Sequence, residues 1–269
     1  MRVGVIGSNG MLGYGVSVYF ENFVGIDVVK IDRAKFDVLK DDMGVLYQLI
    51  DCCDVVINCI GIIKPMIDKH TVGELIHVNC VFPKNLAKIC NSLCIKCFHI
   101  STDCAYSGKK GSYDETDEFD VNDLYGMTKI AGETSECMTI RTSIVGEEKG
   151  DGKSLLSWFI SQRDKEVNGF NNHIWNGVTT THLAHLIRCI IYYDHYKKGV
   201  FHIFTKESVN KYELLCLFND IYDLNININE VSSDTPCDRS LDTIYDVNST
   251  LPIYNLERQI REMKDIFSK

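Results

Sequence analysis

Proline is scarce in this chain, with four in 269 residues, and no stretch of Pro/Ser character separates one part from another. The sequence therefore marks no flexible linker, and it carries no internal repeat. Basic residues are outnumbered by acidic ones, 28 to 37, for a formal net charge of −9. With no local run of Lys or Arg, that balance argues against nucleic acid as a partner. It also does nothing to draw in a polyphosphate, so a phosphate site must rely on backbone amides and single cations. Long hydrophobic runs are missing too. Val55 to Ile63 is broken by Asn58 and Gly61 and is too short to span a bilayer, so no membrane partner is expected. No charged segment followed by an apolar stretch and cleavage site opens the chain, so a secretory signal is not expected.

Cysteine is the residue in excess, with 12, scattered and mostly inside apolar patterns. Without a secretory signal these read as reduced thiols and the expected location is cytoplasmic. Cys94 and Cys97 form the one C-x-x-C pair, but no second pair stands at zinc spacing, so the structural reading is preferred. His182 and His185 share a helix face, yet no third ligand suggests itself. No metal is expected.

The length and 45% hydrophobic content suit one large domain, or one with a smaller lobe attached. Its organising stretch is the start. Val3 to Ile6 is a short apolar run leading into Gly7-Ser8-Asn9-Gly10-Met11-Leu12-Gly13, followed by the periodic Val16, Val18, Tyr19 and Phe23. A buried strand, a glycine turn and a helix start are predicted. Such a turn presents backbone N–H groups at a helix N-terminus to a pyrophosphate with no Cβ in the way. Val28 to Ile31 reads as a second strand ending in Asp32, about 20 residues past the last glycine, where a ribose-binding acid is expected.

Alternation of strand and helix continues to about Ile144. Phe36-Asp37-Val38 reads as a short third strand, and Asp54 to Gly61 as a parallel strand covered on both faces. Leu75 to Cys94 is a long helix that Pro83 kinks. Phe98 to Ser101 and Met138 to Arg141 are strands on either side of a helix from about Tyr125 to Glu136. The pattern means an α/β fold, a Rossmann-type doubly wound parallel sheet, over residues 1–146. Residues 147–269 read mainly as a smaller substrate-binding lobe, with some segments free to return to the sheet. Helices are expected at Leu155 to Ser161, Leu183 to Tyr193, Tyr212 to Ile221 and Leu256 to Phe267. Phe201 to Ile203 is a strand, and Asn168 to Gly177 an Asn/Gly-rich connection. The ligand cleft is expected outside the carboxyl ends of the strands.

Tyr125 and Lys129 sit one helical turn apart. A cation there lowers the tyrosine pKa and makes it a usable acid/base. Tyr106/Lys110 and Tyr193/Lys197 share the spacing, but the first falls in a loop containing Gly108 and the second at a helix end far from any strand terminus. Tyr125 instead begins a helix shortly after Ser101-Thr102-Asp103, which ends a central strand. The Thr102 hydroxyl can donate to a carbonyl that Tyr125 protonates. Turn and capping chemistry is the plainer reading of Thr102 and Asp103.

The combination of Gly7-x-x-Gly10-x-x-Gly13, Ser101-Thr102-Asp103 and Tyr125-x-x-x-Lys129 resembles the extended short-chain dehydrogenases/reductases. Within them it is similar to the reductases of 4-keto-6-deoxy nucleotide sugars, typified by dTDP-4-dehydrorhamnose reductase. Asn79, Pro83 to Ala87, Gly132-Glu133, Arg141 to Ser143, Gly177 to Thr180 and Arg239 to Asp242 fall in the same order. The resemblance implies NADPH or NADH as cofactor and a dTDP- or UDP-linked sugar as substrate. It implies that Gly7, Asn9, Gly10, Met11 and Leu12 hold the pyrophosphate, Asp32 and Arg33 the ribose end, and Asp37 and Val38 the adenine. Ile60, Gly61 and Ser101 would lie along the nicotinamide half. Thr102, Tyr125 and Lys129 would be the catalytic set, with Tyr125 and Lys129 also at the nicotinamide ribose. Thr102, Asp103, Ser143 and Ile144 would meet the sugar, and Arg239 would reach the nucleotide diphosphate of the substrate. Some relatives carry a glutamate that bridges a metal-dependent dimer where this chain has Gly15, and a tryptophan where it has Ile144. The expected homodimer is then not held by such a metal. Two alternatives remain: an epimerase of the same fold, and a non-catalytic subunit that binds cofactor only to regulate a partner.

Overall fold

The computed structural model describes residues 1–150 and 152–268. Five parallel strands, β1 (Arg2–Ile6), β2 (Asp27–Ile31), β3 (Val55–Asn58), β4 (Lys96–Ile100) and β5 (Met138–Arg141), form the body of one sheet. Its order is β5-β4-β3-β1-β2, with Gly199–His202 added parallel to β5 at the outer edge. Side-chain alternation divides the core in two. Val3, Val5, Val55, Ile57, Phe98, Ile100 and Ile140 pack on one face with Val16 and Phe20 of α1 (Met11–Glu21) and with Leu183, Leu186 and Ile187. Ile6, Val56 and Cys97 point the other way, onto Leu46 and Ile50 of α2 (Met43–Ile50) and onto Leu75, Phe82 and Leu86. With both faces covered, the strands are apolar throughout, as a parallel sheet requires.

Two sequence expectations are corrected. Phe36-Asp37-Val38 is not a strand. Asp37 instead organises a turn, accepting from the Leu39 N–H and donating its own N–H to the Asp41 carboxylate. The sixth place in the sheet is taken by Gly199–His202 from the second half of the chain. The second correction concerns Asn168 to Gly177, which holds two strands, Glu166–Phe170 and His173–Trp175, rather than a connection alone. Asn and Gly masked the β pattern there.

The long helix around Pro83 is continuous but uneven. It runs as α3 (Val72–Ile76), a π-helical turn His77–Val81, and α4 (Phe82–Ser92). Pro83 lies in the first turn of α4, where its missing N–H is tolerated. The π turn turns Asn79 inward. Its side chain accepts from the Ile62 N–H at 2.8 Å, donates to the Ile62 carbonyl at 3.1 Å, and donates to the Thr128 hydroxyl at 3.2 Å.

Past β5 the chain builds α6 (Leu155–Ile160), α7 (Thr180–Tyr192), α8 (Lys211–Tyr222) and a closing helix Leu256–Phe267. α7 packs on α1 beneath the large sheet. A separate core gathers Leu156, Phe159, Trp175, Leu214, Phe218 and Ile260 around α6, α8 and the closing helix. A small sheet stands over this core: Val209–Asn210, His173–Trp175 and Cys237–Asp238, in that order. No helix among the described residues is long and apolar enough to cross a membrane.

Candidate active site

At the end of β1 the backbone turns through Gly7, at φ +81°. Its N–H donates to the Ile31 carbonyl at 2.8 Å, joining this loop to the end of β2. A Cβ at Gly13 would overlap the Gly7 carbonyl, so only glycine lets α1 start this close. Asp42, Asp123, Thr179, Asn210 and Asn255 each cap their helix with a side chain. α1 has Gly10 and no such bond, nor an acid in its first turn. Its leading N–H groups are left for an external acceptor.

Two depressions meet at this loop. One is lined by Gly7, Arg33, Phe36, Asp37, Val38 and Ile62, an apolar slot with one cation at its rim. Asp32 accepts from Asn9 at 3.1 Å and from the N–H groups of Ala34 and Lys35, which fixes the turn after β2. Arg33 is exposed and paired with Asp37 at 3.1 Å. Burial opposes ionisation of Asp37, but the Leu39 N–H and the Arg33 guanidinium outweigh it and hold its pKa low.

The second depression runs from Gly10, Met11 and Leu12 past Ile60 and Gly61 to Ser101, Thr102, Asp103, Tyr125, Lys129, Ser143 and Ile144. α5 (Leu124–Gly132) carries the tyrosine and the lysine. Its start is set by Asp123, which accepts from the Gly126 N–H at 2.8 Å and from Lys64 Nζ at 2.7 Å. Its far end presses on the π turn, where a Cβ at Gly132 would overlap the Asn79 carbonyl. Lys129, 5% exposed, donates to the Ile100 carbonyl at 2.7 Å. Burial pulls its pKa down to about 8, against the opposing pull of Glu133 and Cys59. Thr102 closes the turn after β4 by accepting from the Cys104 N–H, so the capping role read from sequence is real. The same hydroxyl donates to the Asp103 carboxylate at 3.2 Å.

One electrostatic expectation is corrected. Tyr125 is not made more acidic by Lys129. Burial pushes the phenol pKa up, with Cys104 and Asp103 adding to the rise and the nearby Thr102 hydroxyl opposing it, while Lys129 is turned to the Ile100 carbonyl. As the protein stands, Tyr125 is a protonated donor.

Ser101 lines the cleft, but its hydroxyl donates to Glu133 at 2.6 Å. Glu133 in turn holds Arg141 in a two-pronged buried pair. Arg239 stands outside the cleft wall, donating to the Tyr106 carbonyl at 2.8 Å, in the electrostatic range of Cys104, Asp103 and Asp123. The two other Tyr/Lys pairs are elsewhere. Tyr106 is fully buried and stacked on Tyr113 at 4.3 Å, and Tyr193 is exposed beyond the end of α7. His182 and His185 stack on each other and on Tyr254, and no group of three His, Cys, Asp or Glu among the described residues can hold a metal. A Cβ at Gly15 would overlap the Thr180 hydroxyl, so a bridging glutamate has no room there. Sequence reasoning missed Lys64, because no periodicity or motif marks it.

A family profile described as the RmlD substrate binding domain matches residues 1–253. The chain belongs to that family. A dTDP-4-dehydrorhamnose reductase from Mycolicibacterium smegmatis is 30% identical over 166 residues, 58% of this chain and 49% of that protein. The chain thus spans about half the length of the curated reductases it matches. Methionine adenosyltransferase 2 subunit beta of Danio rerio is 26% identical over 245 residues, 83% of this chain and 74% of that one. Among solved structures, dTDP-4-dehydrorhamnose reductase from Bacillus anthracis in complex with NADP superposes with a TM-score of 0.80 at 19% identity, covering 100% of this chain and 99% of that one. Membership of the family and this superposition establish the Rossmann-type α/β fold.

Proposed function

We propose that the protein is an NADPH- or NADH-dependent reductase acting on a nucleotide-linked 4-keto-6-deoxy sugar, dTDP- or UDP-linked. One observation carries the reading: Thr102, Tyr125 and Lys129 line a single cleft that continues to the uncapped start of α1. The Gly7–Gly13 loop and the apolar slot at Phe36 and Val38 suit a dinucleotide, and the structural relative from Bacillus anthracis is a complex with NADP. When bound, the nicotinamide supplies the hydride. Gly10, Met11 and Leu12 would offer N–H groups to the pyrophosphate, Asp32 would hold the ribose, and Arg33 would pair with a 2′-phosphate. Tyr125 gives its proton to the developing alkoxide, Thr102 donates to the same oxygen, and Lys129 orients the ribose. Asp103, Ser143, Ile144 and Arg239 surround the sugar and its nucleotide. Free thiols throughout suit a cytoplasmic enzyme. A homodimer would have no metal-bridging glutamate at position 15.

The same reading argues against elimination of water from the sugar, which needs a carboxylate base at the end of the catalytic strand. Here that place is Cys104, whose thiol burial pushes up to about 11. A protonated thiol is no base at neutral pH. The test is consumption of reduced cofactor, one equivalent per equivalent of 4-keto-6-deoxy nucleotide sugar. Conversion of a 4-hydroxy nucleotide sugar with no change in reduced-cofactor absorbance would mean an epimerase instead.

The subunit beta relatives favour a second reading, a cofactor-binding regulatory subunit, because they cover 83–87% of this chain. The intact Thr102, Tyr125 and Lys129 set speaks for catalysis. Turnover by the isolated chain decides between them.

A further inference from the structure

The connection after β3 carries Lys64, which lines the cleft together with Ile63, Pro65 and Met66. Its ammonium lies 5.9 Å from the centroid of the Tyr125 ring and 2.7 Å from Asp123 Oδ2. Asp123 is the N-cap of α5, and its other oxygen accepts from the Gly126 N–H at 2.8 Å. One carboxylate, two residues before Tyr125, therefore both starts the catalytic helix and receives a lysine from a separate connection.

A cap needs an oxygen acceptor and no charge, and asparagine caps a helix as well as aspartate does. Asp123 is nonetheless ionised. Burial opposes its ionisation, but the Gly126 N–H and Lys64 outweigh it and hold the carboxyl pKa low. That charge is unfavourable to the chemistry assigned to Tyr125. It acts to raise the phenol pKa, and a weaker acid gives up its proton less readily.

The charged and titratable groups around the phenol come from three elements. The turn after β4 brings Asp103 and Cys104, α5 brings Asp123 and Lys129, and the connection after β3 brings Lys64. Asp103, Cys104 and Asp123 all oppose a phenolate. Lys129 is spent on the Ile100 carbonyl. Arg239 reaches Asp123 only through its field, with Nε on the Tyr106 carbonyl. Lys64 is the cation over the ring, and it pairs with the carboxylate that most directly adjoins Tyr125 in the chain.

We propose that Lys64 is a positioning residue for the proton donor: it cancels the charge of the α5 cap beside Tyr125 and keeps a cation over the ring. The proposal rests on the reading of Tyr125 as the proton donor of a reductase. In that step hydride from the reduced nicotinamide turns the ketone into an alkoxide. The Tyr125 O–H bond then breaks, its proton goes to the alkoxide oxygen, and the negative charge passes to the phenol oxygen. Without Lys64 that charge would form beside an uncompensated carboxylate.

A titration of the full chain tests this without turnover. Trifluorotyrosine installed at position 125 has a more acidic phenol, whose ionisation is followed by fluorine NMR at low salt. The backgrounds are wild type, Lys64→Met, Lys64→Arg, Asp123→Asn and the double variant Lys64→Met/Asp123→Asn. Lys64→Met raises the phenol pKa by about half a unit, a small shift because the pair is half-exposed and partly screened. Asp123→Asn lowers it, since the cap survives and the ammonium loses its partner. The double variant returns close to the wild-type value, as does Lys64→Arg, and added salt shrinks both single shifts. With the natural tyrosine and a 4-keto-6-deoxy nucleotide sugar, Lys64→Met lowers kcat about threefold with KM little changed. Adding Asp123→Asn recovers most of that loss.

No shift of the phenol in either single variant overturns the proposal. So does a double variant as impaired as Lys64→Met, which would make the pair a clasp between two segments and not a balance of charge. A raised KM with kcat intact in Lys64→Met overturns it too, by making Lys64 a contact to the sugar. NADPH binding like that of wild type reports that each variant is folded. If the phenol titrates as expected while wild type reduces no 4-keto sugar, the charge balance stands and the reductase reading falls.

Discussion

The two ends of the cleft are built on different plans. The end proposed for the dinucleotide comes from consecutive strand ends, β1, β2 and β3, and from backbone conformation: the Gly7 turn, the uncapped start of α1, and the turn fixed by Asp32. The end proposed for the substrate is made of side chains from distant places in the sequence, Thr102 and Asp103, Tyr125, Ser143 and Ile144. A backbone cradle recognises what all dinucleotides share. Side chains elsewhere can change without disturbing that cradle. The two ends should therefore fail separately.

The largest effect is expected where they meet. Tyr125→Phe removes the proton donor alone, so kcat should fall by roughly a thousandfold or more while both NADPH and dTDP still bind. Loss of either affinity in that variant would break the division. Next, Gly13→Ala places a Cβ into the Gly7 carbonyl. Overpacking of this kind costs about 1–3 kcal/mol, and NADPH affinity should drop by tenfold or more with dTDP affinity intact in titrations.

Lys129 sharpens the picture through pH. Its pKa falls from 10.5 to about 8 in the folded chain. Between those values the unfolded chain holds a proton that the folded chain has released, so stability rises with pH across that window. Below about pH 8 both states are charged and the full penalty of burial applies. At ~1.4 kcal/mol per pH unit the rise is about 3 kcal/mol. The stability difference between wild type and Lys129→Met, measured by denaturation without cofactor at pH 7.5 and 10.5, should shift by this amount in favour of wild type, since the buried thiols, whose raised pKa values act with the opposite sign, are common to both. The same variant should lose both turnover and NADPH affinity. The smallest effect belongs to Arg33, exposed and already paired with Asp37. Arg33→Ala should weaken NADPH by about tenfold at most, with NADH unaffected, as expected for one screened phosphate contact. A thousandfold preference of wild type for either cofactor in kcat/KM would contradict the dual use expected from Asp32 beside Arg33.

The same division explains what could be read from sequence. Gly7, Gly10 and Gly13 carry their geometry locally, as do Asp32 and the helical spacing of Tyr125 to Lys129, and all were legible. The strand after Asp32 was misread because Phe36 and Val38 are apolar for another reason: they line a slot rather than pair in a sheet. The edge strand Gly199–His202 joins β5 across more than fifty residues, which no local pattern encodes. Lys64 looks like an ordinary exposed lysine until Asp123 and Tyr125 are placed beside it. The direction of the Tyr125 pKa was misjudged because spacing gives proximity to Lys129 but not where its ammonium points.

Asn79 sets a mechanical limit on the whole arrangement. One buried amide ties the Ile62 backbone, between the cleft residues Gly61 and Ile63, to Thr128 on α5, and the Asn79 main-chain carbonyl abuts Gly132. The gap between the two is therefore a fixed gauge, set by the extra residue in the His77–Val81 turn. Deleting one residue there would restore a regular helix and swing Asn79 about a quarter-turn off its three contacts, since successive α-helical residues lie roughly 100° apart. Substitutions at Ser143 or Ile144 can reshape the cleft while leaving that gauge alone.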